Sequence, residues 1–364
     1  MSEVKAYTVT DDEAGMRVDR WFKRRIPALS LAHLNKIVRT GQVRVDGARV
    51  KTGTRLTAGA VVRVPPLQLA ATEVAGSRRP STAGPNDRRA LEDMILFEDR
   101  HLLVLNKPHG LAVQGGSGMI RHVDGMLAAM ARPDGERPRL VHRLDRETSG
   151  VLLVAKTRGI AAELGEIFRS RQATKIYWAL VEGIPRPARG RISLFLAKGE
   201  AMGTTRVARA RQSAAPGSDR ESERSSTERM RIARHGEEDA QHSVTYYAVV
   251  DKLAPRLAWL SMKPVTGRTH QLRAHAEAIG HPVIGDSKYA NLPTNNSRRE
   301  DPLRAVPAGL DRKLHLLARR LILPHPRGGV LDVTAPLPPH MQKSWDMFGF
   351  DENHEDPIEE APDA

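Results

Sequence analysis

Apolar residues recur at helical spacing at Val18, Trp21 and Phe22, and again at Leu31, Leu34, Ile37 and Val38 beyond a break at Ile26-Pro27. Residues three and four apart share one face of a helix, so the pattern predicts two short helices, each with one buried side. The period then changes. GQVRVDG at residues 41–47 alternates as a strand entering a tight Asp-Gly turn, and AVVRV at 60–64 reads as another strand. Further along, Met94 to Phe97 and Leu102 to Leu105 are short apolar runs around the turn Glu98-Asp99-Arg100. Val151 to Ala155 has the unbroken apolar character of a buried strand, and Ile160, Leu164, Ile167 and Phe168 mark the stripe of a helix after it. Ile176 to Val181, Val244 to Val250, Leu257 to Met262 and Val330 to Val333 are further strands. Strands following strands, with helices interspersed irregularly, predict an α+β fold built on a mixed, mostly antiparallel sheet.

Between these patterned regions lie stretches that cannot build a core. Residues 71–89, with VAGSRRPSTAGPNDRR at their centre, have linker composition and divide the chain into a small module at 17–70, preceded by an extension at 1–16, and a larger one at 90–348. Residues 200–240 hold eight Arg against eight acidic residues with no Leu, Phe, Tyr or Trp, which predicts a flexible insertion in the larger module. Residues 349–364 carry seven carboxylates and no Lys or Arg, and are expected to be a disordered, solvating tail.

Charge sharpens the picture. In 364 residues, 57 Lys and Arg stand against 43 Asp and Glu, a net charge of +14, which favours a polyanionic partner, RNA or DNA first. The excess is concentrated: from Arg17 to Val64 there are twelve Lys or Arg and two Asp. Lys23, Arg24, Lys36 and Arg39 would share the outer faces of the two helices. A solvated helix surface is one reading and a phosphate-contacting face the other, favoured by the charge density. Cysteine is absent, which excludes disulfide scaffolds, thiolate nucleophiles and Cys-type zinc sites. No run approaches a membrane span, and MSEVKAYTVTDDEAG lacks the apolar core of a signal peptide, so a soluble, cytoplasmic protein is expected.

The densest polar cluster is VHRLDRETSG at 141–150, just ahead of the strand at 151–155. Strand ends fix side chains and loops expose them. Asp145, flanked by cations, is the residue such a place would use as nucleophile or base. From the residue types alone, an ion-pair network at a turn is the better account, since salt-bridged loops are common.

The residue order argues for chemistry. HRLDRETSG at 142–150 resembles the H-R-L-D-x-x-T-S-G signature of the RluA-type pseudouridine synthases. KIYWALVEG at 175–183 resembles their K-x-Y-x-A-x-V-x-G strand, and GRTHQLRAH at 267–275 their G-R-T/S-H-Q-L-R-x-H block. LLARRLILPHP at 316–326 is similar to a fourth segment, with Leu317 where His is usual, and NKPHG at 106–110 to a turn that shapes a strand exit. The resemblance implies a pseudouridine synthase fold that takes a uridine out of its stack, breaks its glycosidic bond and rejoins the base through carbon. It implies Asp145 as the catalytic carboxylate, acting on the ribose by attack or proton removal, Tyr177 against the uracil, and Arg273 as the partner that keeps Asp145 charged. His142, Arg143, Thr148 and Leu316 are expected to bind substrate. Tyr177 and Leu316 could also be plain core residues.

Thr269 is the expected N-cap of a helix that stops at Gly280. His270 and His275 lack the one-turn spacing of helix metal ligands, so no metal is assigned, and an isomerisation implies no cofactor. Residues 17–64 resemble an S4 RNA-binding domain. With that module in front, the resemblance points to members acting on large-subunit (23S) ribosomal RNA, working as a monomer. Transfer RNA as substrate, a noncatalytic ribosome-assembly protein on the same scaffold, and a sugar hydrolase using Glu147 as second carboxylate stay open.

Overall fold

The computed structural model describes residues 4–26, 29–67, 84–115, 121–133, 135–200, 228–289 and 309–362. The chain divides into two compact units, Met1–Arg79 and Pro80–Ala364. Among the described residues no helix is long and apolar enough to cross a membrane.

The first unit contains strand β1 (Lys5–Thr8), helices α1 (Val18–Arg25) and α2 (Leu31–Arg39), and strands β2 (Arg44–Val45), β3 (Ala48–Arg49) and β4 (Val61–Val64). The strands form an antiparallel sheet in the order β1-β4-β2-β3. Val18, Trp21, Phe22, Leu34, Ile37 and Val38 turn their predicted faces onto that sheet's core. Asp46 and Gly47 both have positive φ, as the tight Asp-Gly hairpin requires.

The separate extension expected at 1–16 is instead part of this unit. β1 pairs along the whole of β4, and Glu13, 2% exposed, accepts bonds from Trp21 Nε1 at 3.0 Å and from Arg25 at 2.7 and 3.0 Å. The Arg25 bonds chiefly, against the cost of burial, hold the Glu13 carboxyl down to about 2.

The second unit opens with α3 (Pro85–Glu92), so the linker expected to reach residue 89 ends earlier: Pro85 starts a helix whose Leu91 is fully buried. Then follow β5 (Ile95–Glu98), β6 (Leu102–Lys107), α4 (Val123–Met126), β7 (Arg139–Leu140), β8 (Ser149–Ala155), α5 (Arg158–Arg169), β9 (Thr174–Glu182), β10 (Arg189–Glu200), β11 (Glu228–Ala233), β12 (Gln241–Leu253), β13 (Leu257–Pro264), α6 (Gln271–Ala278), β14 (Leu316–Pro324), β15 (Val330–Thr334) and α7 (Pro339–Phe348). The strands form one sheet in the order β11-β10-β12-β13-β9-β14-β8-β6-β5, with β15 paired to β14 and β7 to β8. Every pairing is antiparallel except β14 with β8. All seven residues of β8 are buried, as a strand covered on both faces should be.

Two regions expected to lack structure have it. In the insertion, Glu228–Ala233 runs beside β10 as an edge strand and buries Met230 against Tyr289; residues 201–227 lie outside the described residues. The acidic tail is docked. Asp356 accepts Trp178 Nε1 at 2.9 Å and Ser261 Oγ at 2.7 Å, Ile358 is 1% exposed, and Glu352, Glu359 and Glu360 pair with Arg319, Arg320 and Arg189. Four of its carboxylates, on Glu352, Asp356, Glu359 and Glu360, are held by cations and donors of the sheet, and not by water alone.

Candidate active site

The loop at 141–148 delivers Asp145 to the head of β8 and is fastened three ways. Lys107, fully buried at the end of β6, gives its ammonium protons to the carbonyls of Pro108, Leu111 and Arg146 at 3.0, 2.9 and 3.0 Å. Three donors meet three acceptors, which only the charged form satisfies; burial draws the pKa down to about 7 and the Asp145 carboxylate draws it up. Gly110 N–H donates to the Arg146 carbonyl at 2.9 Å, and Arg146 Nε donates to the Gly110 carbonyl at 3.0 Å. The NKPHG turn therefore clamps the loop as well as shaping the strand exit. Last, Gly150 has φ +105°, and a Cβ there would stand 2.2 Å from the Ala318 carbonyl oxygen, so β14 can lie against β8 only because this residue is glycine.

Tyr177 reaches the same place from β9, where it pairs with Ala318, and Leu316 comes from β14 opposite Ala179. Asp145, Tyr177, Arg273, His142, Arg143, Thr148 and Leu316 all line one cleft of about 610 Å³. Residues from the 141–148 loop, β9, α6 and β14 converge there.

Arg273, 1% exposed on α6, sits among three carboxylates. Its Nη1 is 3.7 Å from Asp145 Oδ2, its Nη2 is 3.1 Å from Glu147 Oε2, and Nε and Nη2 make two 2.7 Å bonds to Asp286. Burial opposes the charge, but the Asp286 bonds and the three carboxylates outweigh it and raise the pKa above the ordinary arginine value. Arg273 does face Asp145 as expected, but its principal partner is Asp286, and the planar fork of the guanidinium suits that bidentate contact. Asp286 is fixed in turn by Gly285, whose φ of +76° and 2.0 Å clearance to the Lys313 carbonyl exclude a side chain.

Other expectations shift in detail. His142 is a wall of the cleft: its Nε2 accepts the Leu153 amide at 2.8 Å, its ring stacks on Phe168 at 5.0 Å, and burial pushes its pKa to about 3, leaving it neutral. Tyr177 stays a neutral phenol, because burial, reinforced by Asp145, raises its pKa. Arg143 is exposed at the rim, joined there by the exposed Arg171 and by the half-buried Lys175, whose pKa burial lowers. Thr269 does not cap α6. His270 occupies the cap position with a left-handed backbone and makes no side-chain cap bond, while Gln271 fastens the preceding turn by accepting Arg268 N–H at 3.0 Å and Thr266 Oγ1–H at 2.7 Å. Lys23, Arg24, Lys36 and Arg39 are exposed on α1 and α2, with Arg24 bonded to Asp12 at 2.9 Å. Glu147 turns to Arg273 and does not line the cleft, which removes the second carboxylate that a sugar hydrolase would need.

Two contributors were not singled out by the sequence. Asp286 and Tyr289 stand in the segment IGDSKY after α6, where the Gly-Asp pair was the available signal. Lys107 was visible only as part of a turn.

Asp145 beside a buried guanidinium, with Tyr177 lining the same cleft of a cationic protein, agrees with the RNA pseudouridylate synthases that the sequence motifs resemble. A family model of that description matches residues 101–278, and the chain belongs to this family. Its relatives include the ribosomal large subunit pseudouridine synthase C of Pasteurella multocida (strain Pm70), 36% identical over 341 residues, 93% of this chain and 92% of that protein. The protein of the same name from Escherichia coli (strain K12) is 35% identical over 337 residues, 92% and 93% of the two chains. Among solved structures, human RNA pseudouridylate synthase domain containing 4 superposes with a TM-score of 0.53 at 28% identity, covering 71% of this chain and 94% of that one.

Proposed function

We propose that this enzyme isomerises specific uridines of large-subunit ribosomal RNA to pseudouridine, with Asp145 as the reacting carboxylate. The observation that carries the reading is the convergence of Asp145, Tyr177 and Arg273 on one cleft from three separate elements. A volume of about 610 Å³ holds an extruded nucleotide. Tyr177 supplies the face for the uracil and Leu316 the apolar floor. Asp145 acts on the ribose, the C1′–N1 bond breaks, the base turns, and its C5 bonds to C1′; the proton given up by C5 is matched by one taken up at N1, so no atom is gained or lost overall. Arg273, held by Asp286, keeps a positive charge beside Asp145 throughout. His142 and Thr148 shape the wall, and Arg143, Arg171 and Lys175 form a cationic rim for the strand's phosphates.

Large-subunit RNA as the target is supported by the names of relatives that match over nine-tenths of the chain. The first unit, whose residues 17–64 resemble an S4 domain, serves as an RNA grip through Lys23, Lys36 and Arg39, with Arg24 shared with Asp12. Ribosomal RNA as the substrate puts the enzyme in the cytoplasm, where ribosomes assemble, and we propose that it acts there as a monomer.

The test is to map pseudouridines in total RNA from cells lacking the protein, complemented with the wild type or with Asp145→Asn. We expect one or a few large-subunit positions to revert to uridine and only the wild type to restore them. Loss confined to transfer RNA overturns the target, and restoration by Asp145→Asn overturns the site.

A further inference from the structure

His270 has φ +51° and ψ +21°, in the left-handed region, immediately before α6. A non-glycine residue stays there only when its surroundings over-determine it, and such outliers gather at functional sites. Tyr289 is what holds it. The fully buried Tyr289 oxygen accepts the Met230 amide of β11 at 2.8 Å and lies 3.2 Å from His270 Nδ1. An oxygen already accepting from Met230 still has its own proton to give, and a neutral imidazole can take it on Nδ1, the arrangement the proposal adopts: burial, against the pull of Asp145, holds the ring's pKa to about 4. The ring's proton is then on Nε2, the atom that faces Asp145 Oδ2 at 3.9 Å. β11 grips this assembly from outside, with Arg229 paired to Glu277 of α6 and lying over the Tyr289 ring at 4.9 Å.

We propose that His270 is a positioning residue for the reaction: Tyr289, anchored by β11, sets it as an Nε2–H donor beside the Asp145 carboxylate. The proposal rests on Asp145 being the reacting group. Nε2 and Arg273 Nη1 both approach Oδ2, at 3.9 and 3.7 Å, which leaves Oδ1 for the ribose. Groups around His270 are Asp145 from the loop, Arg273 from α6, and Asp286 and Lys288 from the segment before Tyr289. The part of the insertion that forms β11 thereby becomes a brace for the catalytic carboxylate.

Two substitutions separate this role from a backbone role. Asn tolerates the left-handed conformation better than Gln, but its amide nitrogen stands at the Nδ1 position; Gln reaches the Nε2 position and keeps a donor toward Asp145. We expect His270→Asn to lose about tenfold or more in kcat with KM for RNA within about twofold, the effect of removing the donor that faces the reacting carboxylate, while His270→Gln retains most of the activity. In 15N NMR spectra of the full-length protein without RNA, His270 should be the Nε2–H tautomer, and Tyr289→Phe should shift it toward Nδ1–H. A wild-type Nδ1–H tautomer, or Asn and Gln variants of equal activity, overturns the proposal. Activity in Asp145→Asn would instead overturn the reading beneath it, and the tautomer measurement, made without substrate, tells the two failures apart.

Discussion

Asp286→Asn tests whether the buried pair with Arg273 is the keystone of the site. Both side chains are about 1% exposed, and two 2.7 Å bonds join them. Removing one charge from such a pair costs roughly 3–5 kcal/mol, because the other is left desolvated. Here Glu147 at 3.1 Å and Asp145 at 3.7 Å still face the guanidinium, so the low end applies, about 3 kcal/mol. At ~2–4 °C per kcal/mol for a unit of this size, the catalytic unit should melt roughly 6–12 °C lower. Activity should fall further than stability explains: a guanidinium released from Asp286 turns toward Glu147 and Asp145, and kcat drops by about tenfold or more. Glu147→Gln is the control. Glu147 is one-third exposed, so its loss should cost less than about 1 kcal/mol. Calorimetry of the full-length variants, with pseudouridine formation measured at a temperature where both are folded, reads out each quantity. An Asp286→Asn protein that melts within about 2 °C of wild type with kcat intact, or a Glu147→Gln protein that is impaired more than Asp286→Asn, rules out the keystone role.

Gly150→Ala places a methyl against the Ala318 carbonyl at a φ that disfavours it, and should destabilise by at least about 3 kcal/mol, seen as a large fall in Tm or loss of soluble protein. Tyr177→Phe should keep most of its activity and Tyr177→Ala lose it, since the ring face and not the phenol proton is what the cleft uses; equal loss in both contradicts that assignment. Glu13, held to about 2 in the folded state against an ordinary value of 4.5, contributes stability that is fully present above pH 4.5 and lost as pH falls toward 2. The difference in melting between wild type and Glu13→Gln should therefore shrink on acidification through that window. Replacing Lys23, Lys36 and Arg39 together by Gln should weaken RNA binding and flatten its dependence on log salt by about 0.7–0.9 for each phosphate no longer neutralised, measured by titration at several salt concentrations; an unchanged slope removes those residues from the interface.

Much of the architecture could be read in advance wherever burial imposes a local pattern. β8 is buried at every position and so displays an unbroken apolar run, and α5 buries one stripe. The Asp46-Gly47 turn announces itself because few residues accept its backbone angles. β1, β11 and the tail were missed for a common reason: each is short or charged, and is held by partners distant in sequence. KAYT has one half-buried residue and is fixed by backbone bonds to β4. The acidic tail looks like a solvated segment until Arg189, Arg319, Arg320 and Trp178 are seen beneath it. In the site the residues closest to the chemistry were legible as a motif, whereas those that hold them were not. Asp286 and Tyr289 matter only because α6 brings Arg273 and His270 onto them, a fact of packing that spacing does not encode.

The strand that completes the middle of the sheet is among the last to be made. β14 is threaded between β9 and β8, contributes Leu316 to the cleft and presses Ala318 onto Gly150, yet it follows both neighbours by about half the length of the catalytic unit. A chain still being translated and cut short of residue 316 has two unjoined half-sheets with open edges, and no pocket between them. Synthesis must therefore pass residue 316 and set β14 between its neighbours before any uridine can be turned over.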